Sequence, residues 1–134
     1  MTLKQRIRDH EGFRLEPYKD SEGILTVGYG RNLESVPFTR AEVELMFDTD
    51  FRRAVQGVEN FTFVEHLNEA RRGVVIEMVF QMGATGVGGF RKFRGACMRH
   101  DWETAAIEMM DSKWATQTPA RAKKLALIFE RGYE

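Results

Sequence analysis

The chain has 134 residues, of which 43% are hydrophobic and 30% are charged, and its 20 basic side chains balance its 20 acidic ones. This length and composition predict one folded domain with a single hydrophobic core and argue against an intrinsically disordered chain. The balanced charge argues against a nucleic-acid-binding protein, and the single cysteine, Cys97, excludes a disulfide-scaffolded secreted domain.

Charge distribution and hydropathy bear on partners and location. Residues 1–67 hold 9 basic and 12 acidic side chains, while residues 68–134 hold 11 and 8. A polyanionic partner would favour the C-terminal half, although a chance imbalance explains the counts equally well. The N-terminal "MTLKQRIRDHEG" has no apolar signal core, and "GVVIEMVF" at 73–80 is too short to cross a bilayer. We therefore expect a protein made in the cytoplasm, without stable membrane association.

The first third of the chain predicts a short helix and then a small antiparallel sheet. Two apolar residues four positions apart in "LKQRI" indicate a helix that Gly12 ends, so Glu11 stands at its C-terminal edge. After it, "DSEG" is typical of a turn and "ILTVGYG" of a returning strand. Asp20 therefore falls at the turn and Thr26 on the strand.

The rest of the chain predicts helices. Thr39 and Glu42 form a capping box that starts a long helix over residues 39–58. An apolar helix follows through "GVVIEMVFQM", and the glycine run "GATGVGG" then interrupts the chain. The last helix begins with Thr118 as N-cap and Pro119 at its first position.

Together these elements predict the α+β class. We expect a single domain, residues 1–134, with a β-hairpin lobe at about residues 12–38 and a mainly helical lobe at 60–134. The helix at 39–58 connects the two lobes. Residues 1–11 are expected to pack on the helical lobe.

The sequence predicts neither a metal site nor a phosphate-binding loop. His10 and Glu11 begin the zinc motif H-E-x-x-H, but Arg14 stands where the second histidine is required. His66 and His100 lie outside any spacing typical of metal ligands. The run "GATGVGG" lacks the Lys-Ser/Thr of a phosphate loop and is typical of a helix break. We therefore expect no cofactor.

Glu11, Asp20 and Thr26 are the remaining candidates for chemistry. Cleavage of a glycosidic bond needs a protonated carboxyl for the leaving oxygen and a second carboxylate that activates water or stabilises the positive sugar. A glutamate at a helix end near Phe13 favours retention of its proton, whereas an aspartate on an exposed turn stays ionised. In a chain with 20 acidic residues this spacing is also common by chance, so spacing alone does not assign catalysis.

The letters around these three residues resemble a known family. From Glu11 to Gly30 the chain reads EG-x-R-L-x-x-Y-K-D-x-E-G-x-x-T-x-G-x-G, which is similar to the catalytic region of the T-even phage-type lysozymes, glycoside hydrolase family 24. The resemblance implies a lysozyme-like fold and spans nearly the whole chain. It continues in "RR" at 71–72, "MVFQMGATGV" at 78–87, Trp102 and "SKWATQTPARAK" at 112–123.

The resemblance implies a role for each candidate. Glu11 would be the general acid, and Asp20 with Thr26 would position and activate water on the opposite face of the sugar, which implies inverting hydrolysis. The implied substrate is the β-1,4 bond between N-acetylmuramic acid and N-acetylglucosamine in peptidoglycan, cut by a monomer without a cofactor. Phe80 and Gln81 match residues that line the saccharide cleft.

Further positions carry supporting roles by the same resemblance. Arg121 matches an arginine that approaches the catalytic glutamate, where its charge would favour the ionised carboxylate. Glu22 and Lys113 match a pair whose members face each other from the two lobes. Arg31 stands where the family commonly has a histidine, paired with an aspartate that Asp50 matches. We therefore predict an ion pair between Arg31 and Asp50 that persists at high pH.

The chain also departs from the family pattern. The segment between Leu33 and Thr39 is much shorter, so part of the N-terminal lobe is missing. Asn32, Phe93 and Glu108 stand where the family has other saccharide contacts, so the contacts in those subsites are expected to differ.

Two alternatives to a hydrolase remain. A lytic transglycosylase cuts the same bond with an acid alone and forms an anhydro sugar, but Asp20 and Thr26 argue against it because that reaction needs no activated water. A non-catalytic wall-binding module would be indicated by loss of Glu11 or Asp20, and both are present. As a phage or prophage endolysin, the protein would stay in the host cytoplasm until another protein, by family analogy a holin, lets it reach the wall.

Overall fold

A computed structural model describes all 134 residues, which form two compact units, residues 1–45 and 46–134. The N-terminal unit holds a small sheet and the C-terminal unit is helical, so the predicted lysozyme-like α+β class is confirmed. In chain order the elements are α1 (Leu3–Glu11), β1 (Arg14–Lys19), β2 (Leu25–Gly28), β3 (Arg31–Asn32), α2 (Arg40–Glu59), a 3₁₀ turn (Thr62–His66), α3 (Glu69–Gly88), α4 (Arg91–Met98), α5 (Trp102–Met110), α6 (Lys113–Gln117) and α7 (Pro119–Arg131).

Helix α1 has well-defined ends on both sides. The Thr2 hydroxyl accepts a hydrogen bond from the backbone N–H of Gln5 at 3.1 Å, which caps the N-terminus. Gly12 ends the helix with a positive φ of 78°, and its N–H donates to the carbonyl of Arg8. Glu11 is therefore the last helical residue, as predicted. Residues 1–11 group with the sheet in the N-terminal unit, and their packing on the helical lobe stays a prediction.

The three strands form one antiparallel sheet in the order β1-β2-β3. Thr26, on the central strand, is opposite Tyr18 on one side and Asn32 on the other. The β1–β2 register is irregular between Arg14 and Tyr18, where Pro17 lies on the edge strand and offers no N–H to the ladder. The central strand thus holds Thr26 by backbone pairing on both sides.

The helical unit is built around one apolar core. Helix α3 crosses it and kinks at Gly83, where φ is 82° and no other residue type fits without strain. The predicted interruption by the glycine run is confirmed at Gly83, where the helix kinks, and at Gly89, the C-cap at which it ends, whereas Gly86 remains helical. No single helix has the length and composition to cross a membrane, and α3 with α4 meet that test only as a pair bent by 96°. The largest fully buried side chains are Phe93, Phe129, Met78, Met109, Val58, Val75, Val87 and Cys97.

Two predicted helix starts behave differently. The capping box is confirmed, because the Thr39 N–H donates to the Glu42 carboxylate at 2.8 Å and the Glu42 N–H donates to the Thr39 hydroxyl at 3.2 Å. Helix α7 does begin after Thr118, with Pro119 at its first position. However, the Thr118 hydroxyl does not cap α7, since it donates to the Trp114 carbonyl at 3.1 Å and closes the end of α6 instead.

Candidate active site

Glu11 lies where helix α1 meets the sheet of the N-terminal unit. Its carboxylate packs against the backbone of Gly30, in the turn between β2 and β3: a Cβ on Gly30 would be 3.0 Å from Glu11 Cδ and closer still to Oε2. The Glu11 side chain is exposed, and within this unit it forms neither a hydrogen bond nor an ion pair.

Asp20 follows β1 and organises the turn that leads to β2. Its Oδ1 accepts hydrogen bonds from the N–H groups of Glu22 at 2.8 Å and Ile24 at 2.9 Å. In return, the Asp20 N–H donates to the Ile24 carbonyl at 2.9 Å, and the Gly23 N–H donates to the Asp20 carbonyl. An aspartate favours such a turn because its short side chain reaches backbone N–H groups two and four residues ahead. One carboxylate oxygen is thus held by the backbone and Oδ2 is left unbonded.

Thr26 is the buried polar residue beside this turn, with 4% of its surface exposed. Its hydroxyl donates to the Ile24 carbonyl at 2.8 Å. Because a hydroxyl has one proton and two lone pairs, Thr26 can then only accept a hydrogen bond from a further partner. Asp20 and Thr26 are therefore both tied to the same residue, Ile24.

The sequence-predicted site residues divide between the two units. Glu11, Asp20 and Thr26 belong to the N-terminal unit, together with Glu22 on the turn after β1. The helical unit holds Asp50, Phe80, Gln81, Lys113 and Arg121. The predicted facing of Glu22 and Lys113, and the predicted approach of Arg121 to Glu11, stay predictions.

Phe80 belongs to an aromatic wall in the helical unit. Its ring centre lies 5.7 Å from that of Phe47, which lies 6.1 Å from that of Phe51. With Ile76 these rings line a groove of about 370 Å³. Exposed aromatic faces of this kind provide apolar contact area for the carbon face of a ligand. Phe80 was expected from the resemblance, whereas Phe47 and Phe51 were not among the predicted site residues.

Gln81 is oriented by a hydrogen bond within the helical unit. The Trp114 indole N–H donates to Gln81 Oε1 at 2.9 Å, and Trp114 is buried. An indole N–H is only a donor, so it selects the carbonyl oxygen of the amide. The Gln81 NH₂ group is therefore the end left to contact a ligand.

Arg121 forms an ion pair that the sequence did not predict. Its Nε donates to Glu77 Oε2 at 2.8 Å, beside the groove lined by Phe80. Glu77 had a signal in the sequence, since it is the one charged residue in the apolar run "GVVIEMVF". The pairing itself could not be predicted from the sequence, because the two partners are 44 residues apart.

Arg31 forms an ion pair with Glu42 within the N-terminal unit. The predicted pair of Arg31 with Asp50, which belongs to the helical unit, stays a prediction. The Arg31 guanidinium donates to both Glu42 oxygens, at 2.5 and 3.0 Å, and stacks over the Phe38 ring at 5.0 Å. Glu42 is already held at the start of α2 by its capping box, so little side-chain entropy is lost on pairing. The hydrogen bond from Arg31, assisted by those from Thr39, lowers the pKa of Glu42 to about 2 and raises that of Arg31.

Two further positions of the family's saccharide contacts have structural roles here. Asn32 Oδ1 accepts hydrogen bonds from the N–H groups of Glu34 at 2.8 Å and Ser35 at 3.0 Å. Phe93 is buried in the core, with its ring centre 5.1 Å from that of Phe129. The Asn32 side-chain oxygen already accepts two hydrogen bonds and the Phe93 ring is buried, so neither group is available to contact a ligand.

Comparison with known proteins identifies the family of this chain. The family model described as Phage lysozyme matches residues 8–131. The chain is 31% identical to "Probable T4-type lysozyme 2" of Dictyostelium discoideum, over 98% of this chain and 95% of that protein. It is 27% identical to the pre-baseplate central spike protein Gp5 of Enterobacteria phage T4, over 98% of this chain and 28% of that protein. It is 32% identical to the peptidoglycan hydrolase gp36 of Pseudomonas phage phiKMV, over 90% of this chain and 14% of that protein. The resemblance around Glu11 is thus confirmed, and the chain belongs to the phage lysozyme family of glycosidases.

Proposed function

We propose that this enzyme lyses bacterial cells by hydrolysing the β-1,4 bond between N-acetylmuramic acid and N-acetylglucosamine in peptidoglycan, with inversion at the anomeric carbon. The observation that carries the proposal is the attachment of Asp20 and Thr26 to the same residue, Ile24, which leaves Asp20 Oδ2 and the Thr26 hydroxyl oxygen able to accept further hydrogen bonds. Similarity to a protein named peptidoglycan hydrolase supports the substrate class.

In the proposed mechanism, protonated Glu11 delivers its proton to the glycosidic oxygen as the bond to the anomeric carbon breaks. A water molecule attacks that carbon from the opposite face and transfers a proton to Asp20. Thr26 accepts a hydrogen bond from the same water, because its own proton is directed at the Ile24 carbonyl. The products are a hydrated reducing end and a free hydroxyl, with Glu11 ionised and Asp20 protonated. Exchange of protons with solvent restores both.

The geometry favours hydrolysis over transglycosylation. A lytic transglycosylase forms an anhydro ring without an attacking water molecule, so its reaction does not require hydrogen-bond acceptors that hold such a water. Here the turn "DSEG" and strand β2 hold two acceptors at the same residue, Ile24. Such an arrangement orients a water molecule before the transition state, which lowers the entropic part of the barrier.

The supporting roles are proposals as well. We assign Phe80 and the Gln81 NH₂ group to saccharide contact, since both are presented on the helical unit without competing bonds at those atoms. The reaction uses side chains of one chain and water, so we propose a monomer without a cofactor. We also propose that the protein is made in the host cytoplasm and acts on the wall after release.

The test uses purified Gram-negative peptidoglycan and outer-membrane-permeabilised cells. Wild type, Glu11→Gln and Asp20→Asn are compared for turbidity loss, and the released sugars are analysed by mass in H₂¹⁸O. We expect clearing by wild type only, one ¹⁸O atom per reducing end, and the α-anomer as the first product by NMR. Anhydro sugars would indicate a transglycosylase. Wall binding without clearing by all three proteins would indicate a binding module.

A further inference from the structure

We propose that Gly30 is a positioning residue for the general acid, because the absence of a side chain at this position creates the space in which the Glu11 carboxylate lies. The inference rests on the proposed function only for the role of Glu11 as the acid. The contact itself is a property of the N-terminal unit.

The contact is close and specific. A Cβ on Gly30 would overlap Glu11 Oε2 and would lie 3.0 Å from Cδ and 3.5 Å from Cγ. All three nearest atoms belong to the Glu11 side chain, so the space beside Gly30 is occupied by the carboxylate and its stem. Carbon atoms in ordinary packing stay about 3.5–4.0 Å apart, so even an alanine would displace the carboxyl group.

Neighbouring contacts hold the helix end and the turn together. The Tyr29 ring, next to Gly30, lies 5.4 Å from the Phe13 ring and beneath the Arg8 guanidinium at 5.8 Å. These contacts flank Glu11 on both sides along the chain. The helix end that carries Glu11 is therefore held against the β2–β3 turn, and the Glu11 carboxylate packs against the backbone of Gly30.

Gly28 provides a matched control two residues earlier. Gly28 and Gly30 have nearly the same positive φ, 69° and 75°, so alanine must adopt an unfavourable positive φ at either position. A Cβ on Gly28 would meet no atom within 4 Å, whereas one on Gly30 meets Glu11. The two substitutions differ mainly in the contact with the carboxylate.

The obstructing group is the end of a flexible side chain, so the protein relieves the overlap by rotating Glu11 and leaves the backbone in place. The stability cost of the contact is therefore small, while the displacement of the proton donor is large on the scale of catalysis. Misplacement of a catalytic group by about 1 Å costs on the order of 100-fold in rate. The effect belongs to kcat, because substrate binding by the rest of the site is unchanged.

The experiment compares wild type, Gly28→Ala, Gly30→Ala and Glu11→Gln. For each protein, Tm is measured by thermal unfolding, and kcat and KM are measured on soluble peptidoglycan fragments. We expect the two alanine variants to lose the same amount in Tm and to share the wild-type KM. We expect kcat of Gly30→Ala to be roughly 100-fold below that of Gly28→Ala. A purely structural role for Gly30 would change Tm without this separation in kcat.

Each remaining outcome has one meaning. Equal kcat in the two alanine variants, with Glu11→Gln inactive, overturns the inference about Gly30 and leaves the proposed function standing. An active Glu11→Gln overturns the proposed function instead. Should Gly30→Ala not fold, Gly30→Asn and Gly28→Asn replace the pair, since asparagine tolerates a positive φ. The same separation in kcat is then expected, and its absence again overturns the inference.

Discussion

Asp20 and Ile24 exchange two hydrogen bonds. The Asp20 N–H donates to the Ile24 carbonyl at 2.9 Å, and the Ile24 N–H donates to Asp20 Oδ1 at 2.9 Å. The same carbonyl accepts the Thr26 hydroxyl proton at 2.8 Å. The backbone N–H and carbonyl of one residue, Ile24, therefore orient both groups to which we assign the activation of water.

Asparagine at position 20 should separate folding from catalysis. Its amide oxygen can accept the same two backbone hydrogen bonds, so the free energy of unfolding of Asp20→Asn should lie within about 0.5 kcal/mol of the wild-type value. Asp20→Ala lacks this acceptor, and its free energy of unfolding should be lower by about 1–3 kcal/mol. Both should be inactive on peptidoglycan, because neither has a carboxylate to accept the proton. Urea unfolding measures the first difference. Equal destabilisation of the two variants would show that the turn does not depend on Oδ1.

Valine at position 26 should remove the water acceptor and retain the fold. Thr26→Val has nearly the same shape, and the Ile24 carbonyl keeps its bond from the Asp20 N–H, so the loss of stability should stay below about 1.5 kcal/mol. Activity should fall on the order of 100-fold. Thr26→Ser keeps the hydroxyl and should retain more activity than the valine variant. Turbidity assays and thermal unfolding provide the comparison, and a fully active Thr26→Val would remove Thr26 from the mechanism.

The pair of Arg31 and Glu42 should make stability depend on acid pH. The pKa of Glu42 is about 2 in the folded protein, below its usual value of 4.5. A lowered folded pKa contributes stability above the unfolded pKa, and this contribution is lost as pH falls from about 4.5 to about 2. The difference in Tm between wild type and Glu42→Gln should therefore shrink across this window. Glu44→Gln, an exposed position on the same helix, is the control. A difference that stays constant with pH would contradict the assignment.

Arg71 should stabilise the helical unit through the end of α7. It is buried and forms no ion pair, but Nε donates to the Phe129 carbonyl at 2.6 Å and Nη2 to the Glu130 carbonyl at 3.0 Å. A lysine ammonium does not reproduce this fork, so Arg71→Lys should cost about 1–3 kcal/mol in urea unfolding. Arg72→Lys, at the half-buried neighbour that lies 3.8 Å from Glu59 and can keep this pairing as lysine, should change stability by less than about 0.5 kcal/mol. Similar losses in both variants would argue against capping by Arg71.

Cys97 should be inert in the folded protein. Burial raises the pKa of its thiol to about 12, so almost no thiolate is present near neutral pH. A thiol reagent such as DTNB should react with one equivalent only in denaturant, and the rate in buffer should follow transient unfolding. Rapid labelling of the native protein would show that the helical unit opens around α4.

The interactions that were predicted correctly from the sequence are those between residues close together along the chain. The Gly12 helix end and the Thr39–Glu42 capping box were predictable because each depends on residues within four positions of one another. Thr118 is the N-cap residue of α7 as predicted, but its hydroxyl forms no capping hydrogen bond, because it donates instead to the Trp114 carbonyl in the preceding turn. Local signals therefore decide where a helix begins more reliably than they decide which bond caps it.

The fold class, the family and the placement of Glu11, Asp20 and Thr26 on a helix end, a turn and a strand were predictable from the sequence. These follow from periodicity, turn chemistry and motif, which are written into contiguous segments. Three contacts required the folded structure: the Arg31–Glu42 pair, the Arg121–Glu77 pair and the packing of the Glu11 carboxylate against Gly30. Partner choice among many charged side chains depends on distances of a few ångströms, which are set when separate segments pack against each other.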